Sequence, residues 1–305
     1  MSHERVRPTA AKSRIRIGVS GWTYPGWRGV FYPDGLPARR ELAYAAARFA
    51  AIEINATHYR LQTPASFGRW RDETPADFVF ALKGGRYITH MLRAKEVDAA
   101  LANFMASGVL RLGPKLGPML WQFPPRQKFD PGRLGDFLAA LPRTTAAAAR
   151  LARRHDARLD GRAWVDCDVD ATIRHAVEIR HDSFRTPAFV EILRRHNAAL
   201  VCADAVDWPL LLDATTDFVY CRLHGSQELY ASGYDAADIG VWARRIRAWA
   251  RGDEPVDGDR IRERARHGPK HDAFVFFDND AKVRAPFDAM ALARRLGLRT
   301  RELQP

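Results

Sequence analysis

An α/β fold, a single TIM-like (β/α)8 barrel with loop embellishments, is what three features of the 305-residue sequence predict. First, apolar stretches alternate with helix-periodic segments, the pattern of right-handed βα units, and the stretches number eight, at which such units close into a barrel. Second, the stretches end in polar residues, as barrel ligand sites require: Glu53, Lys83, Gln122, Glu178, Asp204, Arg222 and Asn279. Third, an open doubly wound sheet would carry a glycine fingerprint at its first turn, and GVSGWTYPG (18–26) lacks one.

Residues 15–20 alternate Ile15, Ile17 and Val19 with small or polar neighbours and form the first strand, left by a sharp exit at Gly21. The loop over 21–37 carries Trp22, Tyr24, Trp27, Phe31 and Tyr32. It is either a plug over one barrel end or a wall for a planar or sugar-like ligand, and the two are compatible. A helix is expected over 41–51, then a strand over 52–57 with Glu53 and Asn55 on the face opposite Ile52 and Ile54. A carboxylate inside such a strand needs a partner. Thr63 and Pro64 start a helix that Pro75 stops, and a doubly buried strand over 78–83 delivers Lys83. A flexible loop follows, with Arg86, Thr89 and His90.

A helix over 96–107 precedes a strand over 116–122 tipped by Gln122. Helices are expected over 133–141 and roughly 145–155, then a polar turn region. The fifth strand belongs to HAVEIRHD (175–182), where a period of two puts Glu178 and Arg180 on one side and Val177 and Ile179 on the other. A helix over 187–196, a strand over 199–204, a strand over 217–224 with Tyr220, Arg222 and His224 on one face, and a helix over 239–250 come next. A charged, mobile segment is expected over 251–272, then a strand over 273–279 and a helix over 286–296. The barrel domain is expected over 15–297, between a disordered tail over 1–14 and a C-terminal tail over 298–305.

The net charge of +12 and the pI near 10.0 come mostly from arginine. No dense basic run is interleaved with aromatics, so a nucleic acid is a disfavoured partner and a solvated basic surface the favoured reading. Cys167, Cys202 and Cys221 show no paired spacing, which fits a reducing cytoplasm. The first residues lack the apolar core of a secretory signal and no stretch is apolar enough to cross a bilayer, so a cytoplasmic protein without membrane attachment is expected.

The motifs GVSGWTYPGW (18–27), FYP (31–33), EINATHY (53–59), ALKGGRYITH (81–90), LGPMLWQFPP (116–125), HAVEIRHDSF (175–184), YCRLHG (220–225) and FFDND (276–280) together resemble the YecE-like family, catalogued as domain of unknown function 72. The resemblance covers nearly the whole of residues 15–296, implies a TIM-like barrel, and supplies no reaction. This chain departs from the family pattern with GGR (84–86) after the third-strand lysine and with FDND (277–280) where FNND is usual.

The polar strand ends offer Glu53, Lys83, Glu178 and His224 as catalytic candidates, with Trp22, Tyr24, Asn55, Arg86, His90, Gln122, Arg180, Arg222 and Asn279 as substrate-binding ones. Cations match acids in this set, where a divalent-metal site would concentrate carboxylates and histidines. The balance points to a small anionic molecule held by arginine forks, and to acid–base chemistry without metal or cofactor. A hydrolase, lyase or isomerase would fit. Three alternatives stand beside this: a structural ion-pair layer, a nucleotide or nucleic-acid binding module, and a metal-dependent isomerase or phosphodiesterase using Glu53, Glu178, Asp204 and His224.

Overall fold

The computed structural model describes residues 14–91, 94–225, 227–264 and 268–298. The tails expected over 1–14 and 298–305 lie, apart from Arg14 and Leu298, outside the described residues.

Eight parallel strands pair in sequence order and β8 returns to β1, closing the barrel. They are β1 (Ile15–Ser20), β2 (Ala51–Ile54), β3 (Val79–Lys83), β4 (Leu116–Gln122), β5 (His175–Glu178), β6 (Ala198–Asp204), β7 (Phe218–Leu223) and β8 (Asp272–Phe277). Around them run α1 (Glu41–Ala46), α2 (Ala56–Tyr59), α3 (Pro64–Asp72), α4 (Arg86–Met91), α5 (Ala94–Ala106), α6 (Pro131–Ala140), α7 (Thr145–Ala152), α8 (Pro187–Arg195), α9 (Ala236–Arg251) and α10 (Ala285–Leu296). Starts follow local chemistry: Thr63, Asp130, Thr144, Thr186 and Asp235 each cap a helix by accepting from backbone N–H groups two or three residues on.

Alternation along each strand divides the apolar residues between two cores. The one inside the barrel contains Ala51, Ala81, Leu120, Ala176, Ala199, Ala203, Tyr220, Phe274 and Phe276. Small residues on one side of the ring leave room for large rings on the other, which fills a barrel without a pore. Gly18 belongs to this face, and a Cβ there would fall 1.8 Å from the carbonyl oxygen of Ala51. The larger core lies between strands and helices and takes in Trp121, Phe189 and Trp242.

Two expectations change. The segment with Arg86 and His90 is not a flexible loop but α4, as Gly84 and Gly85 end before the helix begins. β2 stops at Ile54, and Asn55 already leads into α2. Between β6 and β7 no helix was expected and none forms: residues 205–217 are a connection whose outer side is filled from further along the chain. Leu211 bridges to Asp259, Asp213 accepts from the backbone of Ile261 and Arg262 at 2.9 Å, and Glu254 accepts from the Ala214 N–H. The described part of the charged segment after α9 thus occupies the missing helix's place. Among the described residues no helix is long and apolar enough to cross a membrane.

Candidate functional site

In the strand register the inward parity runs through Ala51 and Glu53, Ala81 and Lys83, Leu120 and Gln122, Ala176 and Glu178, Tyr220 and Arg222, Phe276 and Asp278. The last inward residue of most strands is therefore polar, and these form one layer at the C-terminal mouth.

Arg222 is its centre and is fully buried. Its Nε lies 3.1 and 3.2 Å from the two Glu53 carboxylate oxygens and its Nη2 2.8 Å from Glu53 Oε1. Nη1 donates to Glu178 Oε2 at 2.7 Å, and Nη2 also donates to Asp278 Oδ2 at 2.8 Å. Glu53 further accepts from Ser20 Oγ at 3.0 Å and from the Tyr220 hydroxyl. Glu178 Oε1 accepts from Arg180 Nε at 2.9 Å, whose Nη2 reaches Gln122 Oε1 at 2.8 Å. Burial alone would push the Glu178 carboxyl up, but Arg222 and Arg180 outweigh it and hold it well below the usual range. Asp278 is likewise lowered, burial being overcome by Arg222. Burial pulls Arg222 down and its three carboxylates more than restore it.

His224 Nε2 lies 3.3 Å from Arg222 Nη1, so that nitrogen accepts and the proton is assigned to Nδ1. Nδ1 is 3.2 Å from Asp278 Oδ2 but out of line for a well-formed hydrogen bond. Burial, then Arg222, depress its pKa, which keeps the ring neutral. Trp208, on the 205–217 connection, stacks over the Arg180 guanidinium at 3.6 Å and meets the His224 ring edge-on at 5.0 Å. Tyr230 flanks His224 at 5.3 Å. The two rings roof the mouth.

Lys83 is treated differently. Its side chain is buried, its electrostatic neighbours are Arg222, Glu178, Asp278 and Glu53, and its ammonium makes no hydrogen bond or ion pair among the described residues. Burial, then repulsion from Arg222, lower its pKa to about 8.

Glu53, Gln122, Glu178, Arg180, Arg222 and His224 are thus hydrogen-bonded into one cluster, with Lys83 beside it. Trp22, Tyr24 and Asn55 lie next to it, lining a cavity of about 570 Å³ at the ends of β1 and β2. Arg86 and His90 do not join: both are exposed on α4, Arg86 on a separate cavity of about 320 Å³. Asn279 faces away too, its Nδ2 donating to Ser232 O at 3.0 Å and Asp288 Oδ2 at 2.8 Å, which ties the loop after β7 to α10. Asp204 has outward parity and accepts from Trp242 Nε1 at 2.9 Å, so the four-residue metal set is not assembled: a guanidinium fills the space between Glu53 and Glu178. Among the described residues no group of three or more His, Cys, Asp or Glu side chains is arranged to hold a metal ion. The aromatic loop divides its labour: Trp27, Phe31 and Tyr32 are buried in a ring cluster reaching Phe49, while Trp22 and Tyr24 face the cavity.

Sequence reasoning missed Asp278, Trp208 and Asp280 as site groups. Asp278 could have been found by continuing the parity of Phe274 and Phe276. Asp280, buried against the Tyr24 hydroxyl, has its pKa raised to about 8 by burial and by Asp278, and its Oδ1 is buried without a partner. Trp208 has no periodic signal because it lies in an irregular connection.

Comparison with known proteins agrees with this architecture. A DUF72 family protein from Thermotoga maritima superposes with a TM-score of 0.69 at 24% identity, covering 93% of this chain and 99% of that one. One from Enterococcus faecalis gives 0.68 at 14% identity, covering 95% and 98%. By sequence, the UPF0759 protein YecE of Escherichia coli K12 is 30% identical over 131 residues, 42% of this chain and 44% of that protein. The UPF0759 protein YunF of Bacillus subtilis is 28% identical over 116 residues, 36% and 40%. The chain thus spans less than half the length of the curated relatives it matches. The model of the family described as protein of unknown function DUF72 matches residues 16–305, and the chain belongs to that family.

Proposed function

We propose that the protein is an enzyme that acts by acid–base chemistry on a small anionic substrate, phosphorylated or sugar-like, at the C-terminal mouth of the barrel, with Lys83 as the reacting group. The observation that carries this reading is the Lys83 ammonium, buried among charges yet without a hydrogen-bond or ion-pair partner among the described residues. A structural lysine would be paired, as Lys115 is, donating to Thr74 O at 2.6 Å. With a pKa near 8, Lys83 exchanges a proton close to neutral pH, where a catalytic base is most effective.

Glu53 and Glu178 then act chiefly by fixing the field. Their carboxylates are committed to Arg222, and Glu178 also to Arg180, so they remain ionised and orient the groups around Lys83. The neutral His224, with Asp278 beside Nδ1, is the second proton carrier. The roof of Trp208 and Tyr230 limits water at the mouth, which strengthens each of these interactions. The test is native mass spectrometry of the purified protein against a metabolite pool, followed by turnover of any captured compound by the parent and by Lys83→Met. Turnover lost in a folded variant is the expected result. Turnover at the parental rate without the amine would overturn the assignment.

A further inference from the structure

The arginines at the mouth are poorly placed to receive a substrate's anion. Arg222 already faces Glu53, Glu178 and Asp278, and Arg180 is engaged by Glu178, Gln122 and the Trp208 ring. An incoming carboxylate or phosphate would have to displace buried carboxylates, leaving them unpaired at large cost.

The neighbouring cavity of about 570 Å³ has the opposite character. Trp22 and Trp70 meet edge to face in its wall, with ring centroids 5.4 Å apart. Arg39, Arg60 and Arg69 stand on its exposed rim against a single carboxylate, Glu73, which lies 3.8 Å from Arg69. The guanidinium groups of Arg39 and Arg60 make no hydrogen bond or ion pair among the described residues. On the side nearest the mouth stands Asn55, two residues beyond Glu53, whose Oδ1 is buried without a donor. A buried acceptor left unmatched in a cavity wall marks a place where a ligand donor fits.

We propose that this cavity is the subsite for the substrate's anionic part: an oxyanion on a partly apolar ring, with Arg39 and Arg60 holding the oxyanion, Trp22 and Trp70 bearing the ring, and Asn55 Oδ1 accepting from a ligand hydroxyl or amine. Arginine forks match carboxylate and phosphate oxygens in two-bond geometry, and a ring over indoles is favourable independently of charge. The inference rests on the mouth being an active site, and it separates anion recognition from the arginines that the sequence pointed to, Arg180 and Arg222.

The probe is phenyl phosphate, titrated while tryptophan fluorescence is followed, in the parent, Arg39→Ala/Arg60→Ala, Asn55→Ala and Lys83→Met. Both arginines are exposed, so the double variant retains the fold, which circular dichroism verifies. Saturable quenching by phenyl phosphate and none by phenol is expected, with binding about tenfold or more weaker in the double variant and unchanged in Lys83→Met. No saturable binding, or binding indifferent to Arg39 and Arg60, overturns the subsite. Arginine-dependent binding of oligothymidylate without binding of phenyl phosphate also overturns it and reassigns the rim to nucleic acid. Because this binding is read without turnover, its failure leaves the enzymatic proposal standing, whereas loss of the enzymatic proposal with binding intact leaves an anion-binding cavity and removes its role as a substrate subsite.

Discussion

Arg222 and Lys83 are two buried cations in the same polar layer of one barrel, and the protein answers them in opposite ways. Three carboxylates surround the guanidinium, while the ammonium makes no hydrogen bond among the described residues. A fully answered charge is a fixture that orders its neighbours. An unanswered one is held at a cost that burial of apolar surface elsewhere must offset, and such groups concentrate where a ligand or a proton completes them. The difference separates scaffold from chemistry within a cluster that looks uniform in the sequence.

The comparison breaks most visibly on removing Arg222. Arg222→Met removes the shared cation from Glu53, Glu178 and Asp278, leaving only Arg180 on Glu178, and should lose about 3–5 kcal/mol in urea unfolding, with part recovered in Arg222→Met/Glu178→Gln. A loss well under that range would make Arg222 a ligand-binding group after all. Lys83→Met should stabilise the protein at pH 7, by up to about 3 kcal/mol, as the cost of the buried charge is removed.

Proton linkage sharpens the same contrast. Lys83 releases its proton near pH 8 in the folded protein against 10.5 when free. Between those values the unfolded chain holds a proton that the folded protein has lost, so stability rises with pH across that window. Below pH 8 both states are protonated and the buried charge costs its full amount, on the order of 3 kcal/mol. The parent's stability minus that of Lys83→Met should therefore climb from pH 8 to 10.5, and a flat difference would contradict the burial argument.

Asp280 shows the opposite slope. Its folded pKa is raised from 3.8 to about 8, so the folded protein keeps a proton that the unfolded chain has lost between those values. Its contribution to stability is full below pH 3.8 and fades as pH rises through 8. Asp280→Asn should thus gain several kcal/mol relative to the parent at pH 9, on the order of 5 from the shift, and little at pH 4. The smallest effect is expected at the roof: Trp208→Ala removes a stacked cation contact worth about 1 kcal/mol, and the exposed Arg180 should then react faster with phenylglyoxal.

Much of this was legible in the sequence, and the misses have physical reasons. β1 and β4 have the bounds read from alternation, since side chains on strands repeat every two residues and polar ends interrupt an apolar run. Glu53, Glu178, Arg180, Arg222 and His224 come together for the same reason. Asp204 and Asn279 looked equivalent because each stands at or just past a strand end. Yet Ala203 and Phe276 carry the inward parity, which turns Asp204 out to Trp242 and brings in Asp278. The saturation of Arg222 was invisible, since sequence lists charges and only geometry pairs them. Periodicity left 205–216 without a helix, but it could not show that the segment filling the outer side of that connection comes after α9.

The central claim, that Lys83 is the unanswered and reactive cation, is tested most directly by the pH titration of its 13Cε resonance, assigned by comparison with Lys83→Met. A midpoint near pH 8 is expected, against 10.5 for an ordinary lysine. A midpoint at or above the ordinary value would mean that Lys83 is paired in solution, and would contradict the account.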